Sequence, residues 1–136
     1  MKKRLILILL LLLVSCQHQS SVTLHEKKIF VETANTDEQR SVGLMYRTNL
    51  DPNKGMLFVY PNEDTRGFWM KNTLIPLDMI FINSHFKIID IHSAEPCKNE
   101  CIPYGSAGKA QYVLEVNKNY AQQNNIHQGD TVEISF

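Results

Sequence analysis

Several features that mark well-known classes of protein are missing from this chain of 136 residues. It has no Gly-x-Ser-x-Gly nucleophile elbow, no phosphate-binding glycine loop and no His-Glu-x-x-His zinc helix. Basic residues are not in excess either, since 14 of them face 14 acidic residues. The missing motifs lower the expectation of an enzyme, and the balanced charge argues against nucleic acid as a partner.

The longest hydrophobic run is also too short to span a membrane. It extends from Leu5 to Val14, about ten residues against the ~20 that a membrane-spanning helix needs. A basic stretch at 2–4 precedes it. This arrangement is typical of a signal peptide, which we place at 1–15, and it predicts that the chain is exported.

The run ends in "LVSC", which resembles the lipobox of bacterial lipoproteins. The resemblance implies that Cys16 carries acyl chains such as palmitate, so that the lipid anchors the mature chain to a membrane of the cell envelope. Because Gln17 and not Asp follows, it implies the periplasmic face of the outer membrane in a cell with two membranes. A plain signal peptide with a chance cysteine, or an uncleaved N-terminal anchor, would be the alternatives.

The rest of the chain is predicted to consist of a tether and one domain. The stretch "QHQSSVTLH" is polar and rich in serine, which indicates a flexible tether over 16–26. Residues 27–136 are enough to bury a core without help from disulfides, so we expect a single domain there. Without the basic residues at 2–4, 11 basic residues face 14 acidic ones, a formal net charge of −3.

Short apolar segments separated by turn residues predict a β-rich domain with about seven strands. The predicted strands lie near 29–31, 56–60, 68–70, 77–82, 87–91, 112–116 and 131–136. A capping box from Thr36 to Gln39 predicts a helix that ends near Arg47, a second short helix fits 117–125, and 97–110 reads as a loop. Strands and helices do not alternate, so we expect a mainly antiparallel small sandwich or barrel with one or two short helices, in the mainly β or β-rich α+β class.

Lipidation of Cys16 would leave Cys97 and Cys101 as a pair in an oxidising compartment, where a disulfide is expected. Two alternatives remain open, a metal half-site that includes His92 and a redox pair. The spacing of three residues between the cysteines does not match the CxxC of redox proteins.

The hexapeptide "FWMKNT" at 68–73 contains the only tryptophan and changes from apolar to polar halfway. Strand alternation predicts Phe68 and Met70 on one side and Trp69 on the other. An exposed Trp beside amides and carboxylates suits a sugar ring, so the predicted ligand is a glycan or a cell-wall component. The candidate binding residues are Arg47, Trp69, Asn72, Thr73, Asp78 and Tyr104.

Two other interpretations of these polar residues remain. Asp78 and Glu115 would be the catalytic carboxylates of a glycosidase-like hydrolase if they lay about 5–9.5 Å apart. Asp78 could instead accept backbone N–H groups or pair with Arg47, and the chain would then be a non-catalytic scaffold.

The methionines at 45, 56, 70 and 79 could bind Cu(I) with His85 or His92, but their apolar neighbours favour core packing. No metal and no cofactor is therefore expected.

Five stretches carry a resemblance to a known family: "GLMYR" (43–47), "GMLFVY" (55–60), "FWMKNT" with "PLDMIFI" (68–82), Tyr104 in its loop, and "YVLEV" (112–116). In this order and spacing the chain resembles the bacterial and archaeal domain of unknown function 192, over roughly 27–136. The resemblance implies a compact β-rich domain, often exported or lipid-anchored. It implies no activity and no catalytic residues.

Overall fold

The computed structural model describes residues 19–136. The predicted signal peptide and Cys16 lie outside these residues. Within them, no helix is both long and apolar enough to cross a membrane.

The described residues form seven strands and two short helices. In chain order these are β1 (Ser21–Leu24), β2 (Lys27–Ala34), α1 (Asp37–Val42), β3 (Lys54–Phe68), β4 (Leu77–Ile82), β5 (Ile88–Ala94), β6 (Tyr104–Asn117), α2 (Tyr120–Gln123) and β7 (Glu133–Ser135). All the strands belong to one sheet in the order β5-β4-β6-β3-β2-β1-β7, which curls into a half-barrel. The prediction of a mainly β domain with few short helices is confirmed.

The sheet is antiparallel except where β2 pairs with β3. A parallel pair cannot be joined by a hairpin, so the chain crosses over through 35–53, which contains α1. The predicted capping box is present, because Thr36 Oγ1 accepts from the Gln39 N–H (3.2 Å) and Gln39 Oε1 accepts from the Thr36 N–H (3.2 Å). The helix ends earlier than the predicted Arg47, since Gly43 has a φ of +51° and leaves the helix.

Two strands are longer than predicted. The "NEDTRG" stretch is not a turn between strands but part of β3, and β6 begins at Tyr104, inside the predicted loop. These polar segments pair with each other as a solvated arm, interrupted by shifts in register between Val59 and Asp64 and between Thr65 and Gly67. Pairing and not hydrophobicity keeps them extended, which is why the sequence pattern does not reveal them.

The predicted tether is wrong beyond residue 20. Ser21–Leu24 is a strand between β2 and β7, and Val22 and Leu24 are completely buried. The physical reason is that these two apolar side chains alternate with polar ones and lie against the core. The ordered domain therefore begins near residue 20 and not at 27.

The two faces of the sheet carry two separate hydrophobic clusters. The Leu114 cluster contains Leu114, Ile80 and Ile82, whereas the Phe81 cluster contains Phe81 and Phe58 on the opposite face. All six residues of β4 are buried, because successive side chains enter the two clusters in turn. The candidate site lies on the face of the Phe81 cluster.

Candidate functional site

A cavity of about 200 Å³ lies between α1 and the face of the sheet that holds the Phe81 cluster. We call it the Glu115 cavity. Its lining comes from α1 and the turn after it, from β3, from the segment after β3 and from one residue of β6. These residues are Arg40, Ser41, Val42, Gly43, Leu44, Met45, Phe58, Tyr60, Gly67, Phe68, Trp69, Thr73 and Glu115.

Glu115 is a buried acid that has no partner among the described residues. It stands between Met56 of β3 and Met79 of β4 in the sheet register, and only 5 % of its surface is exposed. No residue in 19–136 donates a hydrogen bond to its carboxyl group or forms an ion pair with it. Burial raises the pKa of Glu115 to about 8, so the carboxyl group is mostly protonated at pH 7.

Aromatic rings form one wall of the cavity. Strand alternation in β3 places Met56, Phe58 and Tyr60 on the same face as Glu115. The rings of Phe58 and Phe68 pack edge to face, with centroids 4.9 Å apart. The wall is therefore rigid and apolar close to the carboxyl group.

Two arginines hold Tyr60 in place at the rim. The guanidinium of Arg66 lies 3.8 Å from the ring centroid of Tyr60, and that of Arg40 lies 5.0 Å from it. Arg40 also donates to the Val59 carbonyl (2.8 Å) and to Asp37 (2.6 Å), which balances its charge. Burial raises the pKa of Tyr60, so this phenol remains neutral at physiological pH.

Trp69 lies at the mouth of the cavity, and two strained residues are chain neighbours of its lining residues Met45 and Thr73. Trp69 is 49 % exposed, and Lys71 Nζ lies 5.1 Å from its ring centroid. The N–H of Tyr46 donates to the carbonyl of Asn72 (2.8 Å), and both residues have left-handed backbones with φ of 64° and 56°. Such conformations are uncommon for residues other than glycine, and they often occur at functional sites.

The hexapeptide passes from the core to the surface, as the sequence predicts. Phe68 and Met70 are buried and Trp69 is not. The expected strand, however, ends at Phe68, and Lys71 and Asn72 form a turn. The left-handed backbone of Asn72 excludes an extended conformation there.

Only part of the predicted site comes together. Trp69 and Thr73 line the cavity, whereas Asn72 does not, and its carbonyl accepts from the N–H of Tyr46. Arg47 lies outside it, because both of its terminal nitrogens bind the carboxylate of Glu32, one of them at 2.7 Å. This pair lowers the pKa of Glu32 and raises that of Arg47.

Asp78 is part of the fold on the other face of the sheet. Its Oδ1 accepts from Ser93 Oγ (2.6 Å) and its Oδ2 from the Ala121 N–H of α2 (2.9 Å). The expectation that Asp78 accepts a backbone N–H is confirmed, and the expected pair with Arg47 is wrong. In the register Asp78 pairs with Val116 and Met79 with Glu115, so the two carboxyl groups point away from each other. The glycosidase-like pair is therefore also wrong.

Tyr104 lies beside a second pocket that includes Cys97 and Met70. Cys97 and Cys101 form the expected disulfide, with Cα atoms 5.5 Å apart. Both sulfurs are used in this bond and are not available as thiolate ligands of a metal, and His92 Nε2 lies 3.0 Å from both Asp90 Oδ2 and the Gly105 carbonyl.

The methionines behave as core residues in three cases. Met56, Met70 and Met79 are buried in the Phe81 cluster, as the packing interpretation predicts, and Met45 lines the Glu115 cavity. Within 19–136, no three His, Cys, Asp or Glu side chains lie close enough together to hold a metal ion.

Sequence reasoning missed the residues that α1, the turn after it and β3 contribute, above all Arg40, Leu44 and Tyr60. A signal was present, because four of the five stretches that carry the family resemblance supply residues to the cavity. Sequence reasoning named Glu115 only as the partner of Asp78. Its place under α1 follows from the parallel β2–β3 pairing, which local patterns do not encode.

The comparisons agree with this architecture. The model of the DUF192 family, described as an uncharacterized ACR, matches residues 20–134. The chain is similar to a crystal structure from Sinorhizobium meliloti 1021, of a protein whose name proposes a transcription regulator. The two sequences are 35 % identical with a TM-score of 0.76, and the match covers 85 % of this chain and 92 % of the other chain. A protein of unknown function from Novosphingobium aromaticivorans DSM 12444 is also 35 % identical with a TM-score of 0.76, at 85 % and 83 % coverage.

No curated protein matches the chain. The family match extends through β1, which the sequence had assigned to the tether, and it includes every residue of the Glu115 cavity. This chain is a member of the DUF192 family, the domain of unknown function 192.

Proposed function

We propose that this protein is a lipid-anchored domain of the cell envelope that binds a glycan or another cell-wall component at the Glu115 cavity. The observation that carries the proposal is the exposed ring of Trp69 at the mouth of a cavity that ends at an unpaired carboxyl group. The region from Trp69 to Asp78 is no longer the proposed site, because Asp78 lies on the opposite face.

A sugar ring suits this mouth. It has one apolar face, which can stack on Trp69, and a rim of hydroxyl groups. Polar groups are available beside the ring in Thr73 and in the Glu115 carboxyl group. The volume of about 200 Å³ is below the roughly 300–1,000 Å³ of pockets for drug-sized ligands, so one ring or one substituent would enter and the rest would remain outside.

The proposed anchor would hold the cavity near the membrane. If Cys16 carries the lipid, only a few residues separate it from β1 at Ser21. Each residue spans at most ~3.3–3.6 Å, so the domain would stay within roughly 20 Å of the bilayer surface. Replacement of Cys16 by Ser should abolish incorporation of a labelled palmitate into the chain, and a label that persists in that variant would contradict the anchor.

The binding test uses the full-length protein in detergent micelles and titrates it with cell-wall fragments and simple sugars. Trp69 is the only tryptophan, so its fluorescence reports directly on the mouth of the cavity. We expect a saturable change in emission with one class of fragment. Calorimetry should show at least tenfold weaker binding for Trp69→Ala, because the stacking surface is lost.

The matched control is Phe136→Ala, which removes another exposed aromatic ring at the end of the chain. This variant should bind like the unchanged protein. Equal affinity of Trp69→Ala and the unchanged protein, or the absence of a saturable response to every fragment, would refute binding at this site.

A further inference from the structure

We propose that the group that enters the Glu115 cavity is an ammonium group of the ligand, held between the Glu115 carboxylate and the rings of Phe58, Phe68 and Trp69. This inference rests on the proposed function, because it concerns the same cavity. It adds the chemical class of the part of the ligand that is buried.

The first reason is the unpaired acid. Glu115 is 95 % buried, lines the cavity and receives no hydrogen bond from the described residues. A buried carboxyl group without a partner is costly, and it becomes favourable when a cation and its donors complete it. An ammonium group supplies a positive charge, to which a primary ammonium adds up to three N–H donors, whereas an anionic group would add repulsion.

The second reason is the wall next to this acid. The rings of Phe58 and Phe68 both line the cavity and pack against each other at 89°. Cations bind over aromatic faces, and the interaction strengthens when water is excluded. The protein already pairs cations with rings around this cavity, at Tyr60 with two arginines and at Trp69 with Lys71.

The other charges around the cavity leave this acid as the group that a cation would meet. From α1 comes Arg40, whose charge is balanced by Asp37 at 2.6 Å and whose other terminal nitrogen donates to the Val59 carbonyl. From β3 come Tyr60 and Arg66, whose guanidinium lies over the Tyr60 ring and donates to the carbonyls of Asn62 and Ala110, and from β4 comes the uncharged Met79. Lys71 Nζ lies 5.1 Å from the ring centroid of Trp69.

The inference makes the affinity depend on pH in a definite direction. Without ligand, the Glu115 carboxyl group holds its proton up to about pH 8. A cation binds the ionised form and therefore displaces that proton. Its affinity should rise by up to tenfold for each pH unit between 6 and 8. A neutral ligand that accepts a hydrogen bond from the protonated acid should bind more weakly as the pH rises.

The experiment titrates the full-length protein in detergent micelles and in an amine-free buffer, with Trp69 fluorescence and calorimetry at pH 6, 7 and 8. The first probe is choline, whose charge does not titrate, against its uncharged isostere 3,3-dimethylbutanol. Two further probes separate the sources of an amine. They are 1,5-diaminopentane for a peptide side chain and glucosamine for a sugar, with N-acetylglucosamine as its neutral counterpart.

The expected result is that cationic probes bind at least tenfold more tightly than their neutral counterparts at pH 8, and at least tenfold more tightly at pH 8 than at pH 6. Glu115→Gln should remove both differences, whereas Glu133→Gln, an exposed acid on β7, should leave them unchanged. If Glu115→Gln failed to fold, the release of close to one proton per bound choline at pH 7, measured in two buffers of different ionisation enthalpy, would test the same step.

The possible failures are distinguishable. Neutral sugars that bind at Trp69 while cations do not, or cations that bind Glu115→Gln as well as the unchanged protein, would overturn the ammonium inference and leave the glycan proposal intact. Binding of amines in the predicted manner without binding of any glycan would overturn the glycan proposal and leave the ammonium inference intact. A complete lack of response in all titrations would overturn both.

Discussion

Asp78 and Glu115 are acids on neighbouring strands with almost the same burial and opposite surroundings. Asp78 is 1 % exposed and Glu115 is 5 % exposed. Asp78 accepts hydrogen bonds from Ser93 and from the Ala121 N–H, whereas Glu115 has no partner among the described residues. The first carboxyl group joins β4, β5 and α2, and the second ends at a cavity.

Burial of an acid therefore does not by itself indicate a functional site. A buried carboxylate with two donors is explained by the fold, because those donors replace the water that it lost. A buried carboxyl group without donors is not explained by the fold, and its raised pKa records the missing compensation. The number of partners therefore separates the two residues, although their sequence contexts look alike.

The largest effect is expected from a substitution of Asp78, the acid that accepts two hydrogen bonds. Asp78→Ala leaves the Ser93 hydroxyl and the Ala121 N–H buried without an acceptor, so we expect a loss of about 4 kcal/mol in the free energy of unfolding. Urea denaturation at pH 7 measures it. Asp51→Asn, at an exposed ion pair with Lys54, is the control and should cost less than about 0.5 kcal/mol. A loss below about 1 kcal/mol for Asp78→Ala would remove its structural role.

The second prediction concerns Glu115, the acid without a partner among the described residues. Its substitution should increase the stability of the protein instead of lowering it. The pKa of Glu115 is raised to about 8 in the folded protein from 4.5, so the folded state holds more protons than the unfolded state between these values. Stability must then fall as the pH rises through this window and remain low above it. Glu115→Gln removes this cost, and we expect a gain of roughly 3 kcal/mol at pH 7 that disappears near pH 4.

Denaturation of both proteins from pH 4 to pH 8 tests this expectation. Glu133→Gln, at an exposed position of β7, should change stability by little at any pH. A destabilised Glu115→Gln at pH 7 would mean that the carboxyl group has a partner inside the protein after all.

The smallest effects are expected when one hydroxyl group is removed from each face of the sheet. Ser93→Ala deletes one donor to Asp78, and a loss of about 1.5 kcal/mol follows from a charge-assisted hydrogen bond. Thr73→Val changes the Glu115 face, where the hydroxyl makes only a long contact of 3.4 Å to the Lys71 carbonyl, and should cost less than about 0.5 kcal/mol. Equal losses in the free energy of unfolding for the two variants, measured by urea denaturation, would contradict the difference between the two faces.

The fold could be predicted from the sequence where local patterns decide it. The apolar run of β4 and the capping box at Thr36 indicate their structures directly. The strand at Ser21–Leu24 and the polar arms of β3 and β6 could not be found in this way, because their extended conformation comes from partners far away in the chain.

The candidate site was predictable to a smaller degree. Trp69 and Thr73 share one short segment, so the hexapeptide identified both. The relation of Asp78 to Glu115 depends on the register of β4 against β6, in which a shift of one residue moves a side chain to the other face. No motif in the sequence encodes that register.

The position of α1 in the crossover between β2 and β3 has a consequence for the order of folding. Parallel strands meet only after the chain between them has closed a long loop, and such non-local pairing is among the slow steps of folding. The helix above Glu115 is part of that loop, so the cavity cannot exist in an intermediate that has formed only its hairpins. A ligand of this cavity would therefore recognise only molecules that have completed their topology, and binding would distinguish finished copies of the protein from unfinished ones.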